Sequence, residues 1–154
     1  ESHSASHPYD LVRLDRDRIR AEVSGSFDAI ERILGQRPEG FRAPGYTTSD
    51  ALLDAVEEAG ARFDASLLPS PPYWAAKVAA LGSMHSAGKR SSAIIGPARA
   101  TLGPTEPYRP GRPPFARGER SLVEIPMRVT RGSCLVACGT PASGGRLWYI
   151  DRNL

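Results

Sequence analysis

No apolar run in this chain approaches the roughly 18 residues that a membrane-spanning helix requires, so no transmembrane segment is expected. Nor do the opening residues offer a basic stretch followed by an apolar one, so no signal peptide is read at Glu1. Location is left open between the cytoplasm and the cell envelope, with N-terminal targeting information expected to be missing. Cysteine is scarce: Cys134 and Cys138 are too few for the disulfide framework of a small secreted domain. No further thiolate or imidazole lies near them to complete a zinc site, and they read as free, buried, small apolar residues. There is little excess charge. Lys and Arg number 20 against 17 Asp and Glu, and the net +3 is too small to argue for a nucleic-acid partner. What excess exists is local: Lys89, Arg90, Arg99, Arg109, Arg112, Arg117 and Arg120 are opposed in that stretch only by Glu106 and Glu119. Such a stripe could meet an anionic polymer, or simply be a solvated loop. Aromatic residues do not interleave with it as they do in single-strand binders.

At 154 residues the chain can bury one core, and 40% hydrophobic with 24% charged residues is not a disordered composition. A single domain over 1–154 is expected, without internal repeats. Asp15 can cap a helix, with Leu14 packing on Ile19 as a staple. Ile19, Val23, Phe27, Ile30 and Leu34 then recur at helical spacing until Gly35 and Pro38. Gly40-Phe41-Arg42 is a strand end. Ser49 caps a second helix with Leu52, Leu53, Val56 and Ala59 on its apolar face, ending at Gly60. Ala61 to Leu67 is the next strand, and Tyr73 to Leu81 a third, weaker helix. Alternation of helix and strand with short connections argues for an α/β fold with parallel strands. From 82 to 120 six prolines forbid a continuous helix or central strand, leaving a long loop or insertion with a hairpin around Ser92–Ile95. Leu122 to Thr130 alternates apolar and polar and reads as a late strand, Pro126 suggesting an edge or bulge. The tail to Leu154 has weak periodicity.

The chemistry is concentrated in Ser2-His3-Ser4-Ala5-Ser6-His7-Pro8. Two imidazoles four residues apart could reach one metal ion if the segment made a helical turn. A zincin reading fails, because Glu should follow the first histidine and Ser4 stands there. A second run, Phe41-Arg42-Ala43-Pro44-Gly45-Tyr46, lies between two helix-like segments. Pro44-Gly45 alone favours a type II turn.

Together these runs resemble the NodB-type polysaccharide deacetylases, metal-dependent carbohydrate esterases that remove acetyl groups from N-acetylated sugars. The resemblance implies part of an irregular (β/α) barrel lacking its first strand or strands, best matched over 1–81, with 82–120 as insertion and 121–154 as late strand and divergent tail. It implies His3 and His7 as metal ligands, with zinc the expected divalent ion. Arg42 would orient the carboxylate that serves as general base. The backbone N–H of Gly45 would face the developing oxyanion. Asp64, in Asp-Ala-Ser-Leu-Leu-Pro, would line the site. Pro44, Tyr46 and Trp74 would meet substrate, although core packing is the other reading for Trp74. His85 matches no motif and reads as solvated. The family's aspartate pair and its late Leu-His motif have no counterpart in the chain. The reading is therefore a deacetylase acting on an N-acetylated polysaccharide or oligosaccharide, crippled in this fragment. The alternative is a non-catalytic carbohydrate-binding remnant of the same fold. Unpaired strand edges would favour self-association.

Overall fold

The computed structural model describes residues 1–129 and 136–137. Cys134, Cys138, Thr130 and most of the tail lie outside the described residues. Three short strands, β1 (Gly40–Phe41), β2 (Phe63–Asp64) and β3 (Val123–Glu124), form a parallel sheet in that order. Ser2 joins it beside β1: its N–H donates to the Gly40 carbonyl at 2.8 Å, and its carbonyl accepts from Arg42 N at 2.9 Å. Helices α1 (Arg16–Leu34) and α2 (Asp50–Glu58) pack on each other. The fold is α/β, as the alternation of elements predicts.

Both helices start and stop where their caps dictate. Asp15 Oδ1 accepts from Arg18 N at 2.9 Å, and Ser49 Oγ from Leu52 N at 3.2 Å. Gly35 ends α1 in the left-handed conformation, φ 68°, which a side chain would oppose. Ile19, Val23 and Phe27 of α1, Phe41 of β1, and Leu52, Leu53 and Val56 of α2 bury completely or nearly so, joined by Leu11 and Leu122. Each such side chain contributes about 1.5–3 kcal/mol of hydrophobic stabilisation. The α1 stripe fades toward its end, and Leu34 is 71% exposed. At about 1.5 Å per residue α1 is twice the length of α2, so its last turn overhangs the core.

Strand β2 is shorter than the 61–67 run predicts. Side chains replace the ladder there: Ser66 N donates to Asp64 Oδ2 at 3.3 Å, and Leu67 N to Glu124 Oε1 at 2.9 Å. Helix α3 (Pro71–Ser86) is longer than expected at both ends. Pro71 and Pro72 begin the helix, since the first turn needs no intrahelical N–H, and Ser70 Oγ caps it from Tyr73 N at 3.3 Å.

The 82–120 segment forms no hairpin at Ser92–Ile95; the antiparallel contact is instead between Pro110 and Arg117. Nor is it a free basic stripe. The Arg120 side chain, 8% exposed, reaches Asp50, Asp54 and Glu57 of α2 at 3.0, 2.7 and 2.8 Å, and Arg112 joins at Asp54. Arg109 donates to the carbonyls of Arg120 and Ser121 at 2.9 and 2.8 Å. Arg99 lies over Phe115 and Arg117 over Tyr108. These cations fasten the loop to the body of the molecule. Beyond β3 the late strand breaks at Pro126, and β4 (Arg128–Val129) pairs antiparallel with β5 (Val136–Ala137). Among the described residues no helix is long and apolar enough to cross a membrane.

Candidate metal and active site

His3 and His7 converge, by a route other than a helical turn. The 3–7 segment is a loop at the end of the Ser2 edge, with Ser4 and His7 at positive φ, 64° and 57°. Residues other than glycine adopt this region only when surroundings hold them there. Glu22 of α1 does much of the holding. Its carboxylate accepts from Ala5 N at 3.0 Å, Ser6 N at 2.8 Å and Ser6 Oγ at 2.5 Å. Burial pushes the Glu22 carboxyl up, but the hydrogen bonds from Ser6 and Ala5 outweigh it and hold the group below its ordinary pKa.

His3 Nδ1 lies 2.6 Å from the Arg42 carbonyl. A carbonyl only accepts, so Nδ1 carries the proton and a neutral His3 presents a bare lone pair at Nε2. That nitrogen is 3.1 Å from His7 Nε2. Two imidazole nitrogens on one tetrahedral zinc stand about 3.3 Å apart, from bonds of about 2.0–2.1 Å. The donor set and the hydrogen bond behind His3 therefore fit a zinc-type ion. Desolvation lowers the His3 pKa; the nearby positive charges of His7 and Arg42 add to it, against the hydrogen bond to the Arg42 carbonyl. A neutral imidazole is the ligating form. No group of three His, Cys, Asp or Glu side chains able to hold a metal occurs among the described residues.

Arg42 follows β1, and its guanidinium meets Glu1 Oε2 at 3.2 Å. Pro44 is buried, and Gly45 at φ 71°, ψ 11° has the conformation that the third position of a type II turn needs. A Cβ on Gly45 would stand 3.4 Å from Tyr9 Cδ1. Tyr9 packs edge-on against His7, with ring centroids 4.9 Å apart, and Tyr46 packs on Tyr73 at 5.9 Å. Lys77 of α3 donates to the Gly45 carbonyl at 3.0 Å. Trp74, half-buried, donates its indole N–H to the Gly96 carbonyl at 2.9 Å, which ties it to the 82–120 segment. His85 is exposed near the end of α3, away from these contacts.

Asp64 is wholly buried and does not face the open site. Its partner is a residue the sequence reading missed. Glu124 sits opposite it in the β2–β3 register and is 1% exposed. Burial, then the Asp64 charge and hydrogen bond, push the Glu124 pKa well up, so Glu124 keeps its proton and donates it to Asp64. Ser66 Oγ donates to Asp64 Oδ1 at 2.7 Å and accepts from Ala43 N at 2.8 Å. The buried pair is thus wired to the turn that carries Arg42 and Gly45. A signal was available: period-2 alternation puts Glu124 on the same inward face as Leu122.

The polysaccharide deacetylase family model matches residues 1–63, a span holding His3, His7, Arg42 and Gly45 and ending one residue before Asp64. Among solved structures, the chain is similar to a candidate polysaccharide deacetylase from Mycobacterium smegmatis. The two share 21% identity with a TM-score of 0.49, over 82% of this chain and 30% of that one. The chain therefore spans less than a third of that protein's length. No curated protein matches it. The likeness of this chain to the polysaccharide deacetylases thus rests on residues 1–63, the span over which their family model matches.

Proposed function

We propose that this chain is part of a metal-dependent deacetylase, built on an arc of an irregular (β/α) barrel, that hydrolyses N-acetyl groups on a glycan. The observation that carries the reading is the convergence of His3 Nε2 and His7 Nε2 at 3.1 Å, with the His3 tautomer set by the Arg42 carbonyl. His3 and His7 would hold a divalent ion, zinc by its preference for imidazole nitrogen. When bound, such an ion polarises a carbonyl and makes water a stronger nucleophile near neutral pH.

The protein's own groups supply the rest. Arg42 offers a fixed guanidinium fork able to orient a carboxylate and keep it ionised. Gly45 opens the turn so that a backbone N–H can serve the oxyanion, a role that lowers such barriers by about 3 kcal/mol in other enzymes. Ser66 and the Asp64–Glu124 pair hold that turn from below. Tyr9, Tyr46 and Pro44 border the same turn. With two imidazoles and no third ligand among the described residues, hydrolysis by the 154-residue chain alone is expected to be slow.

Zinc titration by calorimetry tests the metal half. One ion per chain is expected, and loss of binding in both His3→Ala and His7→Ala. Undiminished binding in both variants would overturn it. Acetate release from N-acetylglucosamine oligomers, with zinc and with chelator, tests the reaction. The incomplete ligand set favours a second reading, a glycan-binding protein without turnover. Glycan binding with no acetate release in either condition would support that one.

A further inference from the structure

We infer that Lys77 and the tyrosines around it form a subsite for an anionic substituent, carboxylate or phosphate, on the sugar next to the acetylated one. The inference rests on the deacetylase reading and extends it to the class of glycan. Lys77 Nζ is half-buried between α3 and the Pro44-Gly45-Tyr46 turn. It donates to the Gly45 carbonyl at 3.0 Å and lies 6.0 Å from the centre of the Tyr73 ring. An ammonium has three N–H donors, and this contact occupies one. Among the described residues no carboxylate forms an ion pair with Lys77; the ion pairs seen there all use arginine. Burial alone lowers its pKa, and no neighbouring charge offsets that.

A cation held partly out of water without a counter-charge is costly unless a ligand supplies one. Its position makes that ligand specific. The point where a Gly45 Cβ would stand is 3.9 Å from Lys77 Nζ and 3.4 Å from Tyr9 Cδ1. Tyr9 in turn packs against His7, whose Nε2 meets His3. Lys77 and Tyr9 therefore both border the Gly45 turn, and Tyr9 links that turn to the two histidines. Tyr73 lies beside the lysine and Tyr46 packs edge-on against Tyr73, giving ring surface of the kind that packs on pyranose faces. The chemistry fits a glycan whose N-acetylated sugars alternate with, or carry, negative groups.

The test is calorimetric titration of the whole chain with three tetrasaccharides at one pH and two salt concentrations. One is neutral and made of N-acetylglucosamine, one alternates N-acetylglucosamine with a uronic acid, and one carries a phosphate monoester on the neighbouring sugar. The chain should bind at least one anionic glycan about tenfold more tightly than the neutral one, less so at high salt. Lys77→Gln should abolish the preference while leaving neutral-glycan affinity in place, and Lys77→Arg should keep it. Circular dichroism checks that each variant is folded. Which anionic glycan is favoured identifies the source of the charge. Equal binding of neutral and anionic glycans, or a preference that survives Lys77→Gln, overturns the subsite and leaves the deacetylase reading standing. Binding of none of the three overturns both.

Discussion

Asp64 and Glu124 face each other across the β2–β3 ladder, both buried, with one proton between them. Burial raises both carboxyl pKa values; the charge and hydrogen bond of Asp64 raise Glu124 further, whereas the hydrogen bonds from Glu124 and Ser66 hold back the rise at Asp64. An unfolded chain would release both protons near pH 4. Above that pH the folded state holds more protons than the unfolded one, so the pair's contribution falls as pH rises. Thermal unfolding from pH 5 to pH 8 should show a Tm that declines in the native chain and declines less in Glu124→Gln. An equal slope in the two proteins would mean that the pair does not titrate as described. Arg42 lies near enough to oppose part of the Glu124 shift, and Tyr108, whose hydroxyl pKa burial also raises, packs beside it.

Arg120 and Arg112 approach the same carboxylate, Asp54, in very different surroundings, 8% and 61% exposed. Arg120→Ala should cost about 2–4 kcal/mol, because it leaves Asp50, Asp54 and Glu57 crowded without their shared cation. Arg112→Ala should cost less than about 1 kcal/mol. Urea unfolding of both variants measures the contrast, and similar losses would contradict it. Burial works against the charges of Asp54 and Glu57, but Arg120 and the other donors win and hold both carboxyls below their ordinary range. Their stabilisation is therefore present above pH 4 and is lost as the pH falls further.

Glu22 touches neither imidazole, yet it fixes the loop on which both stand. Glu22→Ala should weaken zinc affinity by about tenfold or more, as loss of supporting contacts does elsewhere. Calorimetry against the native chain reads it directly. Unchanged affinity would show that the loop holds its shape without α1.

The Phe63 ring lies against Gly40, and a Cβ there would come within 2.3 Å of it. Gly40→Ala should destabilise the fold by about 1–3 kcal/mol through overpacking. Phe63→Leu in the same chain should recover part of that. A neutral Gly40→Ala would mean that the ring moves aside freely.

Local chemistry was the legible part of this sequence. Asp15, Gly35 and Ser49 mark their helix ends because capping is decided within four residues. The His3–His7 pair and the Arg42 to Tyr46 run were visible as motifs, and the structure brings them to one place. Contacts between distant residues were not visible. Nothing in the residues around Glu22 says that it will take the N–H groups of Ala5 and Ser6. Arg120 looked like one cation of a stripe, since its three carboxylate partners lie more than sixty positions away. The 61–67 strand was overread because side-chain carboxylates capture N–H groups that periodicity assigns to a ladder. The third helix was expected to begin at Tyr73, although the first turn of a helix accepts proline and α3 begins at Pro71.

The Arg120 bridge to α2 and the seating of Glu124 beside Asp64 pin the chain on both sides of one long excursion, which contains α3. Closing a flexible loop depends only weakly on its length, and doubling it costs about 0.6 kcal/mol. An excursion anchored this way can lengthen, shorten or change its side chains while the strands beneath keep their register. Lys77 rides on that excursion, and His3 and His7 do not. If Lys77 reads the glycan as proposed, divergence in that excursion would alter the choice of sugar without disturbing the imidazoles.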